Sequence, residues 1–374
     1  MILITTQTFP PDRGGMEALM GGLADALHRS GERISVFADR VHTPGVEKLD
    51  PPYPVRRFAS VRPVRRRTKA MAVAEAAQAR TVTGLFADSW KSIELLPRLG
   101  APCAVLAHGM EFPTRPSAQK RMRIARSLSK ARTIIANSRY TASLVRPYLS
   151  DGERRLVVIN PPIGRQPDPT PQAIGKLRRI ADGRGPLLLT LARLEPRKGV
   201  DMVIRAMRNI RKAHPDALYV IAGDGDDRKR LEQLAEDNGV AASVRFVGAV
   251  DRDFKAALFA ASDLFAMPTR REGDSVEGFG LVYVEAGWYG VPALAGREGG
   301  ATDAVLDEET GLTCNASSLA DITSKLLRLI DDAALRKRLG AAAAKRAHGL
   351  LQWSESLPHY LAALGLELAV NRSR

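Results

Sequence analysis

The sequence predicts an α/β protein built from two doubly wound parallel sheets that face each other across a cleft. Three observations carry this expectation. Short apolar or β-branched runs alternate with helical patterns in two successive rounds, as in parallel sheets covered by helices on both faces. Between the rounds, Asn160-Pro161-Pro162-Ile163-Gly164 and Pro167-Asp168-Pro169-Thr170-Pro171 are expected to sustain neither helix nor central strand, because proline lacks the backbone donor and fixes φ. A length of 374 residues then suits two domains of ordinary size, each able to bury a core.

The first round opens with a strand at 2–5, where Met1-Ile2-Leu3-Ile4-Thr5-Thr6 lacks the basic flank and cleavage site of a secretory leader and reads as a cytosolic first strand. A helix from Met16 to Arg29 follows, then a strand at 33–37, an irregular basic loop, and a helix near 70–80. Further strands are expected near 85–87, 104–107, 133–136 and 156–159; residues 119–128 read as a helix with Met122, Ala125 and Leu128 toward one side. The second round places strands at 187–191, 217–222, 244–247, 264–267 and 292–295, with helices near 200–213, 226–238, 251–261 and 280–289. Past Leu326 the chain is rich in alanine, leucine and arginine and reads as helical. The domains expected are 1–168 and 169–350. Ligands of open α/β sheets lie beyond the C-terminal ends of the strands, so the loops there are where chemistry is expected.

Composition sets the class. Hydrophobic residues make up 45% and charged residues 26%, as in a soluble globular protein, and charges or glycines break every apolar stretch well before the ~20 residues of a membrane span. Cys103 and Cys314 fall in apolar strand patterns of different domains, which points to buried free thiols. Charge is uneven: residues 1–168 hold 27 Lys and Arg against 14 Asp and Glu, which is +13 of the total +15. Residues 56–69 hold seven basic side chains and residues 113–146 nine, with no acid in either run. Such runs attract anionic surfaces, each basic residue near a membrane contributing about 1 kcal/mol, and the helix at 119–128 is of a kind that lies on phospholipid headgroups. A solvated face fits the same residues. The expectation that uses the basic domain is a cytoplasmic protein, peripheral on the inner face of the plasma membrane. Nucleic acid is not an expected partner, since aromatic content is 5% and no stacking platform, zinc-finger spacing or RNP motif occurs.

The most informative segment is Val276-Glu277-Gly278-Phe279-Gly280-Leu281-Val282-Tyr283-Val284-Glu285. Gly280 and Leu281 fall where a loop becomes a helix, so their free N–H groups and the helix dipole can hold an anion. Glu277 lies in the loop and Glu285 on the helix. Eight helical residues rise about 12 Å, comparable to the span from the sugar carbon to the ribose hydroxyls of a nucleotide sugar. A carboxylate at each end can grip hydroxyls. Around this segment stand Gly14-Gly15-Met16-Glu17, His108-Gly109-Met110-Glu111, Arg193-Leu194-Glu195-Pro196-Arg197-Lys198-Gly199, Gly223-Asp224-Gly225, Phe246-Val247-Gly248-Ala249, Ala261-Ser262-Asp263-Leu264-Phe265 and Gly299-Gly300. Gly14-Gly15 is no dinucleotide fingerprint, because Gly21-Gly22 lies inside the helix pattern at the wrong spacing.

The order and spacing of these motifs resemble the retaining glycosyltransferases of family 4, of GT-B fold, from end to end, and the acidic segment resembles that family's E-x7-E signature. The finer likeness is to GDP-mannose-dependent mannosyltransferases of the phosphatidylinositol type, carried by the polar insert Arg270-Arg271-Glu272-Gly273-Asp274-Ser275 before Glu277. The resemblance implies two Rossmann-like domains and a closing segment, 351–374, whose Gln352-Trp353-Ser354 starts a helix that packs back on the first. It also implies a nucleotide-sugar donor, GDP-mannose or a UDP-sugar, and a lipid-linked or saccharide acceptor, with no cofactor and no metal. Asp224-Gly225-Asp226 looks like a metal-binding D-x-D, but the family has a glycine loop there.

By the same resemblance Gly14 and Gly15 touch the sugar and its diphosphate, and His108 contacts the donor sugar near the reacting centre. Arg193 and Lys198 take the departing phosphates, the first through its planar fork and the second as a point charge. Glu277 sits beside the sugar hydroxyls and Glu285 on the ribose, Phe279-Gly280-Leu281 meet the diphosphate, Gly223 belongs to the glycine loop, and the backbone at Val247-Gly248-Ala249 reads the base. Arg197 is expected to face solvent, and a contact from Glu111 to the acceptor is left open rather than expected. The family's proposed chemistry is front-face substitution, in which the leaving phosphate takes the acceptor hydroxyl's proton. A glycosidase holds its two carboxyls about 5–10 Å apart across one bond, closer than this helical spacing suggests. The alternatives are a UDP-glucose- or UDP-GlcNAc-dependent member of the family, a GT-B nucleotide-sugar epimerase or hydrolase, and a non-catalytic nucleotide-sugar-binding paralogue.

Overall fold

A computed structural model describes residues 1–12, 14–41, 50–150 and 152–368. The chain divides into two compact units: Met1–Gly164 together with the chain from Leu351, and Arg165–Leu350. The first unit has seven parallel strands, β1 (Ile2–Thr6), β2 (Ile34–Asp39), β3 (Val55–Phe58), β4 (Gly84–Ala87), β5 (Cys103–Ala107), β6 (Thr133–Ala136) and β7 (Leu156–Val158), in the order β3-β2-β1-β4-β5-β6-β7. Alternate residues of β1 serve opposite faces, as the two-residue repeat of a strand requires. Ile2 and Ile4 pack with helix α1 (Gly15–Arg29), while Leu3 packs with α2 (Arg62–Ala76) and α4 (Ala118–Leu128). The short α3 (Trp90–Ile93) and α5 (Arg139–Val145) complete the helices that lie between these strands.

The second unit has six parallel strands, β8 (Leu187–Leu191), β9 (Leu218–Ala222), β10 (Val244–Gly248), β11 (Leu264–Met267), β12 (Ala293–Gly296) and β13 (Gly311–Cys314), in the order β10-β9-β8-β11-β12-β13. Its helices are α6 (Pro171–Ala181), α7 (Val200–Ala213), α8 (Arg228–Asp237), α9 (Arg252–Ala261), α10 (Leu281–Trp288), α11 (Ala301–Ala304), α12 (Leu319–Asp331) and α13 (Ala333–His348). The last helix, α14 (Trp353–Ala363), belongs to the first unit and lies on α1, where Gly22 leaves room for the Trp353 indole that a Cβ would strike. Both cysteines are buried and free. Among the described residues no helix is long and apolar enough to cross a membrane.

Three local expectations change. Residues 42–49 of the expected basic loop lie outside the described residues, and the rest is not irregular: Val55–Phe58 adds β3 at the sheet edge, and α2 starts at Arg62, about two turns before the basic run ends at Lys69. An edge strand with one buried residue, Phe58, tolerates arginines that a central strand would not, and proline in the first turn of α2 removes a donor that has no partner there anyway. The proline-rich stretch does nucleate a helix, because Thr170 caps α6 by accepting from Ala173 N and Pro171 occupies its first position. On α4 the buried side chains are Ile124, Ser127 and Leu128, and Met122 is 64% exposed.

Candidate active site

In the second unit two loops meet at one carboxylate. The first leaves β8 at Ala192 and ends at Gly199, where α7 begins. Backbone contact fixes its path. Leu194 N donates to Asp224 O at 2.9 Å, and a Cβ on Gly223 or Gly225 would run into the backbone of Ala192 or Leu194. Gly223 also holds φ at 120°, a conformation that L side chains avoid. From this loop Lys198 Nζ donates to Glu277 Oε2 at 2.5 Å and Arg197 Nη1 donates to the same oxygen at 3.1 Å. Arg197 Nε in turn donates to Glu195 Oε2 at 2.9 Å. The side chains of Lys198, Arg197 and Glu277 are 12%, 15% and 15% exposed, so their attraction is weakly screened. Burial alone would raise the Glu277 carboxyl, but Lys198 and Arg197 outweigh it and hold the group below the ordinary carboxylate range. It is an anion at neutral pH.

The second loop, between β11 and α10, carries Glu277. Its carbonyl accepts from Gly300 N at 2.8 Å. Gly280 caps α10 with φ at 90°, directly over the Tyr283 ring, and Tyr283 Oη donates to Met267 O at 2.5 Å. The first amides of α10 have no intrahelical acceptor, which makes this turn able to hold an anion. Phe279 is buried. Glu285, one turn along α10, accepts from Lys255 Nζ of α9 at 2.7 Å. At the end of β10 the register shifts around Val247, Gly248 takes φ at 71° and accepts from Gly223 N at 2.7 Å, and Ala249 is exposed.

In the first unit His108 follows β5, and its Nε2 lies 2.8 Å from Asp88 O. A carbonyl only accepts, so Nε2 carries the proton of that contact. Glu111 Oε1 accepts from His108 N at 2.7 Å and so caps this turn. The buried Asp88 carboxylate accepts from Gln7 N at 2.7 Å and Ser92 Oγ at 2.5 Å, tying the loop after β1 to the one after β4. Gly14 and Gly15 are exposed at the start of α1, with Gly14 extended as its cap. A cavity of about 460 Å³ lined by Met1, Leu3, His28, Arg33, Tyr53 and Pro54 lies at the opposite, N-terminal ends of β1 and β2 and holds none of these residues.

Comparison with known proteins decides what these loops belong to. The model of "Glycosyltransferase Family 4" matches residues 13–167 and that of "Glycosyl transferases group 1" matches residues 178–346. Over 368 residues the chain is 32% identical to the GDP-mannose-dependent alpha-(1-6)-phosphatidylinositol monomannoside mannosyltransferase of Mycolicibacterium smegmatis, covering 94% of this chain and 95% of that protein. This chain is a glycosyltransferase of family 4. A second relative, from Corynebacterium glutamicum, the GDP-mannose-dependent monoacylated alpha-(1-6)-phosphatidylinositol monomannoside mannosyltransferase, is 40% identical over 171 residues, 45% of this chain and 44% of that one. The fold matches Anabaena HepE, solved with UDP-glucose, at a TM-score of 0.77 over 98% of this chain and 99% of that one, with 20% identity. A Rickettsia africae glycosyltransferase matches at 0.79 over 99% of each chain, with 17% identity. The glycosyltransferase therefore has the GT-B architecture, with one seven-stranded and one six-stranded parallel sheet.

Two expectations about this glycosyltransferase's residues are corrected by the geometry. Arg197 does not face solvent: it is the cation that joins Lys198 on Glu277, while Arg193 is 74% exposed and its nearest acidic oxygen, on Glu195, is 3.8 Å away. The short helical turn at Pro196–Lys198 swings residue 197 inward. The 12 Å rise between the two glutamates also fails, because the helix starts only at Leu281. Four helical steps to Glu285 rise about 6 Å. Asp224 Oδ1 accepts from Gly225 N at 2.8 Å, and the described residues contain no group of three or more His, Cys, Asp or Glu that could hold a metal ion. Lys255 and Asp88 escaped the sequence reading, because each meets its partner only through folding, 30 and 20 residues away.

Proposed function

We propose that this glycosyltransferase moves mannose, with retention at the anomeric carbon, from GDP-mannose to a phosphatidylinositol mannoside at an anionic membrane surface. The observation that carries this reading is the 32% identity, over 94% of the chain, to a protein named as a GDP-mannose-dependent mannosyltransferase acting on such a lipid. The site geometry supports it. Lys198 and the first amides of α10 offer positive charge to a diphosphate, with the exposed Arg193 free to swing its fork onto the same oxygens. Glu277, kept ionised, accepts from sugar hydroxyls. Glu285 holds the ribose hydroxyls, and the backbone at Val247-Gly248-Ala249 lies along the base. In the transfer step the bond from the anomeric carbon to the β-phosphate oxygen breaks. The acceptor oxygen bonds the same face of that carbon, and its proton passes to the leaving phosphate.

The membrane part of the reading rests on α2 and α4. Glu94 joins these helices by accepting from Arg66 at 2.5 Å and Arg123 at 2.6 Å. Outside that clasp Arg62, Arg67, Lys120 and Arg126 are exposed alongside Val61, Val64, Met71 and Met122, cations beside apolar side chains as at a headgroup layer. The test is calorimetry with GDP, UDP and ADP, followed by transfer from GDP-mannose to phosphatidylinositol monomannoside in mixed vesicles, with NMR of the product linkage. Preferential GDP binding and an α-linked product are expected. Preference for UDP, donor turnover independent of acceptor, or a β-linked product would overturn the proposal.

A further inference from the structure

We infer that Arg197 is a positioning residue for the transfer step, locking one oxygen of Glu277 so that the other is presented to the ligand; this rests on the site proposed above. Arg197 and Lys198 both donate to Oε2 of Glu277, at 3.1 and 2.5 Å. Among the described residues no donor is paired with Oε1. A carboxylate held through one oxygen by two cations cannot rotate without breaking both contacts, so Oε1 is the atom left to accept from a sugar hydroxyl. Arg197 suits this task in a way that Lys198 does not. Its planar fork spans two carboxylates, with Nε on Glu195 Oε2 at 2.9 Å and Nη1 on Glu277, and its carbonyl accepts from Arg270 N at 2.9 Å. Arg270 is itself anchored by two contacts to Asp201, at 2.8 and 3.2 Å. The guanidinium is therefore braced at both ends, while Lys198 is free to turn its remaining two donors to a phosphate.

The charged and titratable groups that face Glu277 are Lys198 and Arg197 from the β8 loop and Tyr283 from α10, whose buried phenol stays neutral across the working range. Loss of Arg197 removes one of the two charges that lower the Glu277 carboxyl, so the acid limb of kcat moves to higher pH.

The experiment compares Arg197→Gln and Arg197→Lys with wild type for mannosyl transfer from GDP-mannose, and for GDP binding by calorimetry. The expected result for Arg197→Gln is a kcat lower by about ten- to a hundredfold, the scale of a mispositioned catalytic group, with GDP affinity unchanged and the acid limb shifted upward. Arg197→Lys recovers part of kcat and returns the limb toward its wild-type position. Wild-type kcat in Arg197→Gln, or a loss with no movement of the limb and no recovery by lysine, overturns the inference. Lys198→Ala is assayed beside them: if it is inactive while Arg197→Gln behaves as wild type, only the inference falls. Wild-type turnover in Lys198→Ala instead removes the proposed site, and the role of Arg197 with it.

Discussion

Replacing Glu277 by glutamine changes the charge of the site with little change in shape. Two charge-assisted hydrogen bonds, from Lys198 and Arg197, become bonds to a neutral acceptor. The donors keep their charge, so what is lost is the buried anion opposite them, and breaking a buried ion pair by removing one partner costs about 3–5 kcal/mol. That lies at or below the low end of the ~5–15 kcal/mol stability of a typical domain, and Glu277→Gln should fold. Urea titration followed by tryptophan fluorescence should show the loss at pH 7. A carboxyl whose folded pKa lies below its unfolded value stabilises above the unfolded pKa and loses that contribution as pH falls through the folded one. The gap between wild type and variant should therefore close below about pH 4. Activity should fall as well, by about a hundredfold or more in kcat, because the lost charge is preorganised within the proposed reacting centre. A variant that shows the stability loss but keeps kcat within about threefold of wild type would show that Glu277 is only a clamp between two loops.

Two further outcomes test the rest of the site. If Glu285 takes the ribose hydroxyls, Glu285→Ala should weaken GDP binding about tenfold, the scale of a lost hydrogen bond to a charged group, yet leave 2′,3′-dideoxy-GDP unaffected; equal losses for both nucleotides in calorimetry would sink that role. Removing Arg62 and Arg67 together should cost about 2 kcal/mol of attraction to phosphatidylinositol-containing vesicles, near thirtyfold in partitioning, and cosedimentation unchanged from wild type would argue for a solvated face.

Most of the architecture was legible because its signal is local. β8, β11 and α7 announce themselves in runs such as Leu187-Leu188-Leu189-Thr190-Leu191, where burial on both faces demands unbroken apolar residues. Edge strand β3 was not legible, because Val55-Arg56-Arg57-Phe58 buries one residue and half of its pattern is charge. The same division runs through the site. The spacing of Glu277 and Glu285, the turn at Gly280 and the cations after β8 can all be read along the chain.

What the sequence by itself determined is which residue types stand at the ends of which strands, since strand and helix periods, caps and positive-φ glycines are properties of neighbours. Only the tertiary structure decided which cation meets which carboxylate. Arg193, Arg197 and Lys198 are equivalent as letters, but the turn at Pro196–Lys198 and the glycine contacts beneath it direct Arg197 and Lys198 to Glu277, some 80 residues away, and leave Arg193 in solvent. Lys255 finds Glu285 by the packing of α9 beside α10 in the same way. A side chain's direction is set by the backbone that carries it and by the surface it meets, and that surface exists only once the chain has folded.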